Sequence, residues 1–569
     1  MPPTGHENGP EAQRGPWPRP TALEWFALAA SLVLTLQYAW ILDDAYIYAR
    51  YVDNFVHLGR GLVFNESEYV EGYSSPLWCL LLVPIRAAGL NWWTAFRVIG
   101  VASAFATWAL LVVLARRVAP AHPRPFNLAA LLLCFNYAVL TYFTSGVEAP
   151  LVQLAAVAYA LYVFDPRHKL AAVLVGLAPM IRHELALPLA IAVLWAWRSR
   201  GRFPWLVCLV AAASLGPWML FRVAYYADIF PNTFYLKDEV NWARGLRYLH
   251  DTAVTYGLYV LAPLFALLAF ALSRAGADAR ALRAKERWVL LAAAASVTVY
   301  VAKIGGDPRH YRYLAFPFCV LVCASQGLVE SALEFASESA RRFAPLLGLA
   351  IALGVFALYP RQLASHPITR RAEHLKVDEI NDAQYHRLRA DLGFDPWVWD
   401  AGDEQIDDIY LDLIWRDNPL LPQGPVPIRG EYARYRAAGL TSSEFDVYGE
   451  SWCTSAWKRF SQSLIHKDGL TEAILARAKV PSHRAAHKQA LIEFAPDVIA
   501  LRAKYGFRAG AAKAAASAGD APEWIVRNLE TIDTLERKIF NRHDLRENLG
   551  LVLKGRLAFD PYAGASENE

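Results

Sequence analysis

Long apolar blocks alternate with short polar segments over the first 360 residues. A membrane-crossing helix needs about 20 apolar residues, fewer where the segment is half-buried in protein. The pattern predicts eleven spans: 22–42, 93–115, 126–144, 148–164, 170–181, 185–197, 203–223, 252–272, 288–302, 313–330 and 344–360. The fifth and sixth are too short to cross alone and are expected to dip in as a pair inside the bundle. Residues 1–21 are rich in Pro and Gly and read as a disordered cytoplasmic tail. No small-residue cleavage site follows the first block, which therefore reads as an anchor. Residues 75–90 are apolar too, but carry Pro84 and Arg86. Counted as a span, they would place Arg116 and Arg117 on the wrong face. They read as a helix along the outer membrane surface, with Trp78 at headgroup level.

Lys and Arg set the orientation. Loops 116–125, 165–169, 198–202, 273–287 and 331–343 hold fifteen Lys/Arg in 48 residues, whereas loops 43–92, 145–147, 182–184, 224–251 and 303–312 hold ten in 94. The first set is expected in the cytoplasm, and the C-terminal segment outside. From residue 361 the chain turns mixed and polar, with the Pro-rich NPLLPQGPVP (418–427) and amphipathic helical stretches at 469–480 and 523–541. The expected fold class is a polytopic α-helical membrane protein, with a catalytic module at 22–360 and a mixed soluble domain at 361–569 on the outer face.

Composition narrows the reading without redirecting it. With 55% hydrophobic and 19% charged residues, a disordered chain and a coiled coil are excluded. A net charge of +4 without a basic stripe offers nothing to nucleic acid. The six Cys show no metal-ligand spacing.

Span interiors are nearly free of charge. A carrier or channel typically places ionisable groups near the midplane. Here Asp43, Asp44, Glu148, Arg182, His183, Glu184, Lys237, Asp307, Arg309, His310 and Arg312 gather at the outer ends. Five loops supply them at one depth, which points to an active site at the outer membrane surface. The plainer alternative is that loops are simply more polar than spans. Asp43 and Asp44 stand where the first span leaves the membrane. Residues 45–58 have helical spacing, with Tyr46, Ala49, Arg50, Asp53 and His57 near one face and Gly59 and Gly61 ending the helix. Two adjacent carboxylates there can take up a proton, bind a cation or be neutralised by Arg50. One is a candidate general base for an acceptor hydroxyl; an ordinary helix N-cap is the alternative.

Seven stretches together resemble a bacterial GT-C glycosyltransferase family that uses polyprenyl-phosphate sugars. They are DDAYIYARYVDN (43–54), GRGLVFN (59–65), VEGYSSPLW (70–78), SGVEAPL (145–151), RHE (182–184), FPNTFYLK (230–237) and GGDPRHYR (305–312). DGLTEAILARAKVP (468–481), followed by His487, is similar to a late motif of the same group, although Ala486 and Lys488 replace its Gly and Glu. Within the family, the chain looks most like the terminal arabinofuranosyltransferases of the mycobacterial cell envelope. The family usually has Pro where His183 stands.

The resemblance implies an enzyme of the bacterial plasma membrane that inverts the anomeric carbon in one displacement. Its donor would be a polyprenyl-phosphate sugar and its acceptor a glycan or glycoconjugate hydroxyl. Asp43 or Asp44 would be the base, Asp43 first. Arg312, Arg309 and Lys237 would hold the leaving phosphate, Arg312 foremost because it sits where the family's Arg does; headgroup snorkelling is the alternative. Arg50, Glu148, Arg182, Glu184 and Asp307 complete the expected substrate-binding set. The carboxylates include hard ligands suited to Mg or Ca, but no spacing fixes a metal site. A lipid or sugar transporter and a non-catalytic polysaccharide-binding envelope protein are the rival readings.

Overall fold

The computed structural model describes residues 18–37, 39, 41–42, 44–118, 126–237, 240–255, 258–274, 284–306, 311–328, 332, 343–354, 445–448, 463–466, 473, 475–477, 509–519 and 523–554. Helices dominate. In chain order they are α1 (Ala22–Gln37), α2 (Ala45–Val56), α3 (Pro76–Ala87), α4 (Trp92–Val118), α5 (Leu128–Cys134), α6 (Tyr137–Tyr142), α7 (Ala149–Phe164) and α8 (Lys169–Ile181). There follow α9 (Ala186–Arg200), α10 (Trp205–Tyr226), α11 (Asn232–Lys237), α12 (Trp242–Thr255), α13 (Leu258–Arg274), α14 (Ala284–Lys303) and α15 (Ala315–Ser325). After α16 (Phe343–Gly354) come α17 (Ala509–Ala518), α18 (Glu523–Arg527), α19 (Leu529–Ile539) and α20 (Leu545–Leu553). Strands β1 (Phe445–Tyr448) and β2 (Ser463–His466) pair in parallel, Phe445 opposite Ser463.

Helix α7 is the central post. It is apolar on every face, and all its residues but Leu154 are buried. Helices α4, α8 and α15 pack around it, and its alanines 155, 156, 158 and 160 let their backbones come close. Apolar side chains also coat the outside of the bundle: Val33, Leu209, Leu220, Phe270 and Trp288 are each more than half exposed. Such a surface suits lipid rather than water. Among the described residues, Thr94–Val118 and Trp205–Tyr226 are long and apolar enough to cross a membrane, and several apolar helices are shorter.

The expected spans mostly appear as helices, with informative departures. The 126–144 block breaks into α5 and α6, because Asn136 turns its side chain to the amide of Val139 and restarts the helix. The 523–541 stretch also breaks, at Asn528 between α18 and α19, there without a side-chain cap bond. In the 313–330 block a 3-10 turn at Arg312–Leu314 leads into α15, which is capped at Gln326. Arg222 stands in the last turn of the 203–223 block, so the interior of that block stays free of charge. It is buried in a two-pronged pair with Glu71, at 2.5 and 3.0 Å.

Helix α3 has twelve residues and buries one face through Trp78, Cys79 and Leu82. Trp78 is fully buried and donates its indole N–H to Gly146 O at 2.8 Å, so it pins the 145–147 turn instead of meeting headgroups. Gly146 has φ +77°, and a Cβ there would lie 2.6 Å from Ala45 Cβ, so this turn needs glycine. Residues of the C-terminal segment dock on the loops before α3 and after α10. Arg477 reaches Asp228 at 2.6 Å and Asn232 at 2.8 Å, and Tyr69 N donates to Ile539 O at 2.8 Å.

Candidate active site

Ion pairs at one end of the bundle join three of the loops expected outside to the N-terminus of α7. Leu42 N donates to Ser145 O at 2.8 Å, which brings the start of α2 beside the start of α7. Asp44 takes the N-cap position of α2 but makes no side-chain cap bond. Its carboxylate turns instead to Arg312, 2.5 Å away. Glu148, fully buried at the N-terminus of α7, accepts from Arg182 Nη1 at 2.8 Å and lies 3.6 Å from Arg312 Nη2. Arg182 also pairs through Nε with Glu184. Two arginines and three carboxylates thus form one chain, Asp44–Arg312–Glu148–Arg182–Glu184. Ions held this far from water persist only when paired in this way.

Local backbone explains how the side chains get there. Helix α8 stops at Ile181, Arg182 is extended, and His183–Leu185 make a 3-10 turn before α9. Arg312 opens its own 3-10 turn after Tyr311, whose φ is +65°. The Tyr313 ring, next along, lies 4.3 Å under the Arg182 guanidinium and 5.9 Å from that of Arg312. Tyr48 donates to the second Glu148 oxygen at 3.4 Å. Burial, and then the Glu148 charge, push the Tyr48 phenol well up, so it serves as a donor. Burial also opposes the charge of Glu184, but Arg182 and His183 outweigh it and hold that carboxyl below the usual carboxylate range.

A cleft of about 890 Å³, counting its open mouth, runs along this network. Asp44, Arg182 and Arg312 line it with Tyr48, Tyr73, Ser74, His183, Thr233, Phe234, Tyr300, Lys303 and Tyr313. Glu148 and Glu184 stand behind the two arginines as buried partners. A hydroxyl-bearing substrate entering here would meet a carboxylate, two guanidinium groups and aromatic rings.

Five of the sequence-predicted residues therefore converge: Asp44, Glu148, Arg182, Glu184 and Arg312. Arg50 is not part of the cleft lining. It is buried under the 59–65 loop, where its Nε donates to Phe64 O at 2.7 Å and its guanidinium sits over the Phe64 ring. Lys237 ends α11, and its side chain lies outside the described residues. Asp43, Asp307, Arg309, His310 and His487 lie outside them as well. Sequence reasoning passed over Tyr48, Tyr73, Ser74, Thr233 and Phe234, although each falls inside a quoted motif. Tyr300 and Lys303 carried a weaker signal, as polar groups in the last turn of an apolar helix. Among the described residues, no group of three His, Cys, Asp or Glu is arranged to hold a metal ion. Of the carboxylates suited to Mg or Ca, Asp44, Glu148 and Glu184 pair with Arg312 and Arg182, while Asp43 and Asp307 lie outside the described residues.

The chain is similar to two terminal β-(1→2)-arabinofuranosyltransferases. It is 28% identical to that of Corynebacterium glutamicum over 339 residues, 50% of this chain and 48% of the relative. It is 28% identical to that of Mycobacterium tuberculosis over 377 residues, 56% of this chain and 58% of the relative. The chain spans about half the length of the curated relatives it matches. No family model and no solved structure matches it. This distant homology bears out the resemblance to glycosyltransferases of that kind, and it agrees with a polytopic membrane protein.

Proposed function

We propose that this chain is an inverting GT-C glycosyltransferase working at the outer face of a bacterial plasma membrane. It moves a sugar, arabinofuranose first, from a polyprenyl phosphate to a hydroxyl of a cell-envelope glycan or glycoconjugate. About eleven spans carry the cleft, and the segment 361–569 lies on the same outer side. The observation that supports this best is the Asp44–Arg312 pair on the wall of an open cleft, 2.5 Å apart and backed by buried Glu148. Carboxylate and guanidinium are the two groups the displacement needs.

The acceptor oxygen attacks the anomeric carbon as the bond from that carbon to the phosphate oxygen breaks. The leaving polyprenyl phosphate keeps the bonding electrons, and the acceptor proton passes to a carboxylate. Arg312 offers fixed positive charge to the departing phosphate, where preorganised charge counts most. A phosphate arriving at Arg312 competes with Asp44 and Glu148 for it. Asp44 then orients Arg312 and the acceptor, and Asp43, its neighbour, takes the proton. Lys303, exposed on the cleft wall, supplies a second cation toward the phosphate.

The test is incubation of the purified full chain in lipid with synthetic polyprenyl-phosphate arabinofuranose, mannose or glucose and envelope acceptors, read by mass spectrometry. One donor should yield a product heavier by one sugar. Of Asp43→Asn and Asp44→Asn, one should abolish transfer and the other reduce it, while both proteins still bind donor. Asn caps a helix about as well as Asp. Two variants at the wild-type rate would therefore remove the catalytic assignment, and no transfer from any donor would remove the proposed activity.

A further inference from the structure

His183 lies on the cleft wall beside the charge network. Its Nε2 lies 2.9 Å from the Tyr300 hydroxyl, and its Nδ1 lies 3.7 Å from Glu184 Oε2. That Glu184 oxygen is buried and accepts no hydrogen bond, while Oε1 serves Arg182. The imidazole is thus held between a phenol and a carboxylate, with 37% of its side chain still exposed to the cleft. Its ring meets Phe234 edge-on at 5.8 Å and Tyr300 at 5.9 Å. Phe234 is itself stacked on Phe230, with centroids 4.2 Å apart. Polar atoms fixed on one side and a braced aromatic wall on the other form a surface with two chemistries. A sugar has the matching pair: hydroxyls at its edge and an apolar C–H face.

We propose that His183 and Tyr300, walled by Phe234, form a sugar-hydroxyl subsite that selects which sugar the cleft accepts. The proposal rests on the glycosyltransferase reading above. It assigns His183 a recognition role distinct from those of Asp44 and Arg312. The hydroxyl can belong to the donor sugar or to the acceptor, and the experiment separates the two.

Three variants probe it. Tyr300→Phe removes one hydroxyl and nothing else. His183→Gln keeps a hydrogen-bonding group. His183→Pro removes the imidazole at a position whose backbone suits proline, since Arg182 before it is extended (φ −150°, ψ 132°) and residue 183 opens a 3-10 turn. Binding of polyprenyl-phosphate sugar and of sugar-free polyprenyl phosphate is measured for each full chain in lipid, without turnover. A donor subsite predicts that His183→Pro and Tyr300→Phe cut the preference for the sugar-bearing lipid about tenfold, one hydrogen bond's worth. Affinity for the bare lipid phosphate should stay within twofold, and His183→Gln should keep part of the preference. An acceptor subsite predicts unchanged lipid binding, with an acceptor KM raised about tenfold at an unchanged ranking of donors. Equal loss for both lipids, or no change in either donor preference or acceptor KM, overturns the subsite. Since wild-type transfer is scored separately, the subsite can fail while the activity stands.

Discussion

Two buried carboxylate–arginine clusters sit at opposite ends of the bundle, and they differ in what they leave over. At one end, Glu24 of α1 is saturated. Its Oε1 accepts from Arg116 at 2.5 Å and from Asn127 at 2.7 Å, and its Oε2 from Arg116 and Thr21 N, both at 2.7 Å. Thr21 Oγ1 accepts from Glu24 N at 3.2 Å, completing a reciprocal capping box. Even the Glu24 carbonyl is taken, by Trp108 Nε1 at 2.9 Å. At the other end the same chemistry stays open. Arg182 and Arg312 face a cleft, and Glu184 Oε2 has no donor. A saturated cluster ties α1 to α4 and α5 and can do little else. An unsaturated one keeps capacity for a ligand.

The sharpest way to break this contrast is to remove one arginine from each end. Arg312→Ala should lower turnover by about 10²- to 10³-fold, the usual loss when one charge-stabilising group is removed. Protein abundance should change much less, because Arg182 still holds Glu148. Arg312→Lys should recover only part, since a point charge lacks the planar two-donor contact. Wild-type turnover in the Ala variant would mean that Arg312 serves only to pair Asp44 and Glu148.

At the saturated end the expected loss is in stability instead. Glu24→Ala leaves the Arg116 guanidinium without its carboxylate and takes one of two acceptors from the Asn127 amide, at a cost of about 3–5 kcal/mol. Thermal unfolding in detergent should shift down, while transfer per folded molecule and donor affinity stay at wild-type values. A variant that loses turnover without losing stability would erase the distinction between the two ends.

How far the sequence foretold this differs between the ends. Helix positions were mostly legible, because apolar blocks and Lys/Arg asymmetry report depth directly. Asp44, Glu148, Arg182, Glu184 and Arg312 were legible because each stands where an apolar block meets a polar motif. Depth does not report neighbours, however. Arg50 and Arg312 look equivalent in a list of cations, yet one clamps Phe64 and the other faces the cleft. Trp78 reads as an interfacial residue until the Gly146 carbonyl is found against its indole. The break at Asn136 was hidden because one polar residue in an apolar run counts for little in hydropathy, while its side chain decides the backbone. The Thr21–Glu24 box was readable as T-x-x-E before an apolar run, and was overlooked beside the louder membrane pattern.

The smallest effect concerns protons at Glu184. Burial raises the cost of its charge, but Arg182 and then His183 overcome this, so its folded pKa lies below the ordinary value. An ordinary Glu titrates near pH 4.3. The folded state therefore binds fewer protons than the unfolded chain between the lowered value and that ordinary one. The stabilisation is fully present above about pH 4.3 and is lost as pH falls through the folded pKa. Glu184→Gln lacks this term at every pH. The gap in unfolding temperature between wild type and Glu184→Gln should hold steady from pH 7 to pH 5, then narrow on further acidification. A gap that stays constant into the acid range would show that Glu184 titrates alike in the folded and unfolded chains, so that Arg182 and His183 do not hold its charge. The five-membered charge chain would then end at Arg182.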